Sequence, residues 1–329
     1  MKKTIQLLLI AALTYSVISC TEDSLNKNEP VAKPKSSQAK ESAERRFCAA
    51  DEVLKQNMLE DPTLKDKMKE VEDFTEKFIK ANKKGRVGVD EVLTIPVVVN
   101  VLYNTSVQNI SQAQIQSQID ILNQDFSFTN TDKNLIPAVF TGASFKINFT
   151  LSSVVRKQSN KTSWGTRDAM KSSKKGGINP TNPATTLNIW VCNIGGGILG
   201  YAQFPGGSLS TDGVVIGPNY FGNTGYVSAP FNKGRTATHE IGHWLNLRHI
   251  WGDASCGNDM VADTPTQQTA NYGCPTFPHV TCGNGANGDQ FMNYMDYTDD
   301  ACMFMFTAGQ KDRGRALFAA GGVRAAFNP

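Results

Sequence analysis

Little in this chain is in excess. Its 33 Lys+Arg nearly balance 30 Asp+Glu, a formal net charge of +3. That is too small for a polybasic nucleic-acid binder or an acidic-tail protein. The apolar run from Ile5 to Leu13 falls short of the ~20 residues a helix needs to cross a bilayer. No stretch repeats at a fixed period, which argues against a solenoid or propeller. Phosphate loops are missing as well. Gly195-Gly196-Gly197 fits neither the G-x-x-x-x-G-K-S/T nor the G-x-G-x-x-G frame. It reads as a place where an edge strand bulges or another backbone comes close.

Two scarce residues are more informative. From residue 87 onward there are only two Glu, Glu91 and Glu240. The 243 residues of that region hold 16 basic and 16 acidic side chains, whereas the 66 residues of 21–86 hold 15 and 14. A charged leader therefore ends near Arg86, and a low-charge body of about 240 residues follows, within the range of one domain. Of only four His, three (His239, His243 and His249) fall within eleven residues, and His279 stands apart.

The N-terminus reads as an address. Lys2 and Lys3 precede the short apolar run, as in a secretory signal. Val17-Ile18-Ser19-Cys20 resembles a bacterial lipobox, which places a lipid on Cys20 after cleavage. The alternative is an ordinary signal with a chance cysteine. The Lys/Pro/Ser-rich stretch that follows reads as a flexible tether, and export makes disulfides admissible. Further on, Asp61 and Pro62 suit a helix start. Leu64, Met68, Val71, Phe74 and Phe78 recur at helical spacing.

The body reads as α/β. Thr94 to Tyr103 is a buried strand by its β-branched content. Ser111-Gln112-Ala113-Gln114 is a capping-box pattern, continued as a helix by Ile115, Ile119, Leu122 and Phe126. Phe145 to Val155 alternates as a half-buried strand does, and Leu187–Cys192 and Gly213–Ile216 add further strands.

The chemistry centres on His239-Glu240-Ile241-Gly242-His243. On a helix, residues i and i+4 share a face, so both His can point at one ion. Imidazole is a favoured zinc ligand, and a Glu next to the first ligand is placed to accept a proton from attacking water. His249, six residues beyond His243, reaches the same ion only if the chain turns after Leu245. The related H-E-x-x-H-x-x-G-x-x-H pattern has Gly at that turn. Here it is Asn246, which tolerates the left-handed conformation better than most. Three His and a free Glu describe an open catalytic site better than a closed structural one.

These motifs resemble the metzincin metalloproteases, and specifically the pappalysin family with its ulilysin-like and cytophagalysin-like members. The resemblance spans about residues 94–320. It rests on IPVVVNVLY, SQIDILNQDF, LNIWVCNIGGGILGYAQFP, the His run with Trp251-Gly252-Asp253, and NYMDYTDDACMFMFTAGQ. It implies a zinc endopeptidase with an upper twisted mixed sheet and two long helices, the second carrying the zinc motif. An irregular lower subdomain would carry a Met-turn with Met295 beneath the histidines. Tyr297 would support the oxyanion. Asp300 would sit at the base of the S1′ pocket and pair with a substrate Arg or Lys, giving cleavage before those residues. A peptide substrate would add as a strand to an edge near Leu199–Phe204.

Four cysteines allow three pairings, which the sequence alone does not resolve. Family spacing favours Cys256–Cys282 and Cys274–Cys302, and the lack of a C-x-x-C pair weakens a Cys₄ zinc site. Asp259, the Val261 carbonyl, Asp263 and Thr264 resemble the family's calcium loop and are hard-oxygen donors. The resemblance also implies a pro-segment that keeps the enzyme latent by placing a Cys or Asp on the zinc, which here would be Cys48 or Asp51. A Cys48–Cys192 disulfide is the rival reading. The expected organisation is a signal peptide (1–19), a tether (20–45), a pro-segment (46–86) released near Lys84-Gly85-Arg86, and a catalytic domain (87–329). Peptides are the expected partners, with no nucleic acid and with membrane contact only through the anchor. The competing class is a non-enzymatic surface lipoprotein with a structural zinc.

Overall fold

The structure, a computed structural model, describes residues 45–82 and 91–328. Cys20, the signal and tether segments, and Lys84-Gly85-Arg86 lie outside the described residues. The body is built on a five-stranded sheet of order β2-β1-β3-β5-β4. Its strands are β1 (Leu93–Tyr103), β2 (Ile147–Gln158), β3 (Leu187–Val191), β4 (Gly200–Ala202) and β5 (Val214–Ile216). The first four in that order are parallel, and β4 closes the edge antiparallel to β5.

Strand β1 is apolar on both faces because both are covered, as expected of a parallel sheet between two layers. Ile95, Val97, Val99 and Val101 enter the main core with Ile115, Ile119, Leu122, Trp244 and Met295. Leu102 faces a second cluster with Trp190, Tyr201, Cys48 and Val53. Two helices cover the first face: α3 (Gln112–Ser127) and α4 (Arg235–Trp244). The second carries the His run as expected, but it is short, at 10 residues.

Ser111 caps α3, accepting from the Gln114 N–H at 3.1 Å. The reciprocal half of the expected capping box does not form. The Gln114 amide instead donates to the carbonyls of Pro218, Phe221 and Tyr226, where it satisfies a loop that has no ladder of its own. Gly195, Gly196 and Gly197 all take positive φ in the link between β3 and β4, which is a tight turn beside the edge strand.

The leader holds two helices where the sequence suggested one. These are α1 (Ala50–Glu60) and α2 (Leu64–Asn82). Asp61 both ends α1, its N–H donating to the Asn57 carbonyl, and heads α2, its side chain facing the first turn as an N-cap does. Its Oδ1 accepts from both the N–H and the hydroxyl of Thr63, at 3.0 and 2.5 Å. The apolar stripe of α2 is real, with Leu64 and Phe78 buried and Val71 packed on the main core.

After α4 the chain is irregular up to α5 (Ala308–Ala316), apart from one short 3₁₀ turn and an isolated bridge between Asn293 and Met305. Cys256–Cys282 and Cys274–Cys302 staple this stretch. Cys48 and Cys192 are both buried free thiols, so the rival Cys48–Cys192 disulfide is not formed. With so little regular structure, cross-linking carries much of the lower part's order. Replacing Cys274 and Cys302 together with Ser is expected to cost about 3–4 kcal/mol on the loop-closure estimate, and calorimetry should show Tm lower by roughly 10 °C. An unchanged Tm would refute that role.

Candidate active site

Helix α4 is buried along its whole length although its sequence is largely polar. Each polar side chain therefore needs a partner, and the partners define the site. His239 and His243 project from one face, as their spacing requires. The helix then ends in a Schellman turn. The Leu247 N–H donates to the Gly242 carbonyl and the Asn246 N–H to that of His243, both at 2.9 Å. Asn246 takes φ 68°, the left-handed conformation this turn demands. The reversal brings His249 back over the helix end.

The three imidazoles converge. His243 Nε2 lies 3.2 Å from His239 Nε2 and 3.1 Å from His249 Nε2. Each Nδ1 faces an acceptor: the Tyr294 carbonyl for His239, the Leu247 carbonyl for His243, and Asp253 for His249. A carbonyl can only accept, so Nδ1 carries the proton and the Nε2 lone pairs meet at one spot. Burial drives the same way, pushing the pKa of His239 down and that of His243 to about 3. Neutral lone pairs so close repel unless a cation takes them. Three nitrogen donors with fixed tautomers fit zinc.

Cys48 is the fourth member. Its sulfur and the three His nitrogens lie within 4.8 Å of one another, all buried. Asp51, the other latency candidate, is not brought to the cluster. It sits in the first turn of α1, paired with Lys55. The Cys48 thiol donates to Glu240 Oε2 at 3.2 Å. Burial pushes Glu240 up to about 8, with the Cys48 contact and Arg46 pulling it back.

Met295 is fully buried beneath the histidines, and a Cβ added at Gly242 would lie 2.3 Å from its sulfur. The glycine inside the His-Glu motif is thus fixed by the Met-turn. Tyr297 packs against His239 and His249, at 5.7 and 4.9 Å between ring centroids, and its hydroxyl donates to the Cys48 carbonyl at 3.1 Å.

Asp300 is buried and already paired. Arg46 Nη2 donates to its Oδ1 at 2.6 Å, and the Lys233 and Arg235 N–H groups donate to its Oδ2 at 2.8 and 3.2 Å. The rest of the Arg46 fork donates to the Thr298 carbonyl and the Thr236 hydroxyl, both at 3.2 Å, and the guanidinium carbon lies 4.9 Å from the Phe231 ring centroid. The segment 47–49 bridges the edge strand β4 in parallel. The Leu199 N–H donates to the Phe47 carbonyl and the Ala49 N–H to that of Gly200.

In the candidate calcium loop, the Thr264 hydroxyl contacts both Asp259 oxygens and the Val261 carbonyl, each at 2.9 Å. The Asp263 carboxylate turns away to the start of α5, accepting from the Thr307 hydroxyl and the Gly309 N–H. His279 is engaged by buried Asp289 at 2.9 Å.

Sequence reasoning missed Arg46, Thr236, Thr298, Phe231 and the orienting role of Asp253. Arg46 had a signal. It is a basic residue two positions before a candidate metal-binding Cys, in an enzyme expected to select basic residues. Asp253 is four residues after His249, but no helix joins them. Trp251 stacks on His249 at 4.4 Å and 6°, and its neighbours drew notice only through the family resemblance.

A helix presenting two His and a Glu, a third His after a left-handed turn and a methionine floor define a metzincin-type zinc metalloendopeptidase. Residues 181–319 match the family model described as pregnancy-associated plasma protein-A. The chain is 31% identical over 252 residues to an extracellular metalloprotease of Arthroderma otae, covering 73% of this chain and 83% of that one. It is 33% identical over 233 residues to one of Pyricularia oryzae, covering 69% and 75%. Among solved structures, it is similar to a Tannerella forsythia promirolysin mutant, at 41% identity, TM-score 0.79, and coverage of 86% of this chain and 97% of that one. Mature mirolysin of Tannerella forsythia with a cleaved peptide matches at 46% identity and TM-score 0.71, covering 72% and 96%. The chain belongs to the pappalysin family of metalloproteases.

Replacing Gly242 with Ala drives a methyl into Met295. It is expected to cost about 1–3 kcal/mol and to weaken zinc retention, read by thermal melting with and without zinc. A variant with wild-type Tm in both conditions would show that the floor yields.

Proposed function

We propose that this chain is the latent precursor of an exported endopeptidase that cleaves before Arg. The single observation that carries the proposal is the double occupancy of the site by one leader segment. Cys48 joins the three His while Arg46 fills the pocket floored by Asp300. A substrate presents its Arg after the scissile bond, but here Arg precedes the group at the metal. The leader therefore runs through the cleft backwards, and no peptide carbonyl of it is offered for attack. The match to promirolysin extends over 86% of this chain and that to the mature form over 72%, which supports assigning residues 46–86 to a pro-segment.

His239, His243 and His249 would hold zinc, which would supply Lewis acidity to the scissile carbonyl and to the attacking water. The chain's residues do the rest. Glu240 takes the proton of the attacking water and passes it to the leaving amine. Tyr297, released from the Cys48 carbonyl once the leader departs, donates its hydroxyl to the oxyanion. Asp300 anchors the substrate guanidinium, Thr236 and the Thr298 carbonyl read its other nitrogens, and Phe231 stacks on it. Three separate acceptors suit a planar fork, whereas an ammonium would satisfy one. Arg is thus favoured over Lys more strongly than charge alone provides.

Export is supported by the N-terminal signal pattern and by the extracellular relatives, and the lipobox at Cys20 supports a lipid anchor at the cell envelope. Calcium at Asp259, the Val261 carbonyl and Thr264 is supported by geometry, since the Thr264 hydroxyl lies 2.9 Å from both Asp259 oxygens and from the Val261 carbonyl, which gathers hard oxygen donors at one point. Asp263 supports the loop by capping α5 rather than by its carboxylate binding the ion. Adding calcium to chelator-stripped protein is expected to raise Tm, and Asp259→Asn to abolish the rise. A rise that survives Asp259→Asn would remove the site.

The functional test uses peptides carrying Arg or Lys at one position. The processed enzyme is expected to cut before Arg roughly 10–100-fold better than before Lys, the value of two lost hydrogen bonds. Glu240→Ala should lower kcat/KM by roughly 10²–10⁴-fold. Cys48→Ala should raise the activity of the unprocessed chain by about tenfold or more, removing about 1.4 kcal/mol or more of autoinhibition. Equal cutting before Lys would overturn the pocket reading, and an unprocessed Cys48→Ala chain as inactive as wild type would overturn the latency reading. A zinc-loaded processed chain with no chelator-sensitive cleavage would return the chain to the binding-protein class.

A further inference from the structure

Behind α4 lies a buried polar cluster that no reaction step uses. Asp125 on α3 is fully buried among apolar residues. Its Oδ2 accepts from the Thr238 hydroxyl at 2.6 Å, and its Oδ1 accepts from the Tyr294 hydroxyl at 3.1 Å and from Arg235 Nη1. Arg235, also buried, donates to the Tyr294 hydroxyl at 2.7 Å and to Asp132 at 2.9 Å, with its guanidinium carbon 5.2 Å from the Tyr294 ring centroid. Burying the Asp125 carboxylate and the Arg235 guanidinium, with Asp132 only partly buried beside them, is costly, and pairing seldom repays it in stability. A cluster of this kind calls for another use.

Two of its members, Thr238 and Tyr294, flank His239. Thr238 precedes His239 in the chain. Tyr294 supplies the carbonyl that His239 Nδ1 faces at 2.7 Å. Both residues end on the same carboxylate. Tyr294 is held at three points: its hydroxyl in the cluster, its N–H donating to the Met305 carbonyl at 2.9 Å, and its carbonyl on His239. Arg235 also reaches the other end of the site, since its backbone N–H donates to Asp300.

We propose that Asp125 and Arg235 are positioning residues for the metal centre: through Thr238 and the Tyr294 carbonyl they fix the orientation of His239. The inference rests on the reading of His239 as a zinc ligand. Outer partners of metal-binding His commonly matter by 10–100-fold in affinity. Here the orienting group is a main-chain carbonyl, so its placement must be secured from behind, by the side chain of the residue that carries it.

The test is the rate at which the full-length, zinc-loaded chain surrenders zinc to a chromogenic chelator, measured beside the Tm of the zinc-free protein. Tyr294→Phe keeps the carbonyl and removes only the hydroxyl link. Asp125→Asn keeps the shape and weakens both links. Arg235→Lys keeps the charge and loses the fork. Each is expected to release zinc about tenfold faster or more. A core variant away from the cluster, Val99→Ala, sets the rate that lost stability alone produces. If Asp125→Asn fails to fold, Tyr294→Phe decides. Release no faster than in Val99→Ala at equal Tm overturns the proposal, whereas a wild-type chain that takes up no zinc overturns the underlying ligand assignment.

Discussion

Three imidazole nitrogens must be aimed at one point, and the rest of this structure is arranged around aiming them there. His243 Nε2 stands 3.2 and 3.1 Å from its two neighbours. The aim is held because every Nδ1 proton is spent on a fixed acceptor, two of them main-chain carbonyls. Main-chain acceptors move only if the backbone moves. The Schellman turn at Asn246 supplies one of them and returns His249 to the cluster. The Met-turn supplies another and slides Met295 under Gly242. Metal affinity is in this way distributed over the fold instead of residing in the ligands alone.

The same economy extends to the leader. Its segment from Arg46 to Ala49 meets the edge strand, the metal cluster, Tyr297 and the Asp300 pocket together. Helix α2 adds a remote anchor: Glu72 accepts from Arg313 Nη1 and Nη2, each at 2.5 Å, and Arg313 Nε donates to the Asn246 carbonyl at 2.7 Å. The leader is thus tied to the turn that places His249 as well as to the cleft. Buried polar contacts of this sort are strong when complete and weak evidence of stability by themselves. Their value here lies in specifying one arrangement.

Much of this was legible in the chain. The i, i+4 spacing of His239 and His243, the displacement of His249 and the left-handed tolerance of Asn246 are local properties, and the structure places them as the spacing requires. Strand β1 followed from its β-branched run, and β3 and β5 fall where Leu187–Cys192 and Gly213–Ile216 were expected as strands. The leader was harder to read. Helix α1 begins at the catalytic cleft and draws its burial from the sheet, so its own periodicity is weak. Asp61 suits a helix start, and its carboxylate does receive the Thr63 N–H at the head of α2, but nothing local shows that its own N–H also closes a preceding helix. Gln114 fits a capping box locally, but a distant loop with unpaired carbonyls claims its amide.

What the sequence determined alone is the chemistry: three scarce histidines and one of two Glu in the body at spacings only a helix and a turn can use. Those constraints are short-range, set by the 3.6-residue period and by backbone sterics. What tertiary structure decided is which distant groups complete the site. Arg46 finds Asp300 across 254 residues, Cys48 rather than Asp51 reaches the histidines, and Asp125 meets Thr238 and Tyr294. No local rule fixes these pairings, because each depends on how the edge strand, α3 and the irregular lower segment pack around α4. The physical reason is burial: once α4 is enclosed on all sides, its polar side chains need partners, and only the folded chain can say which.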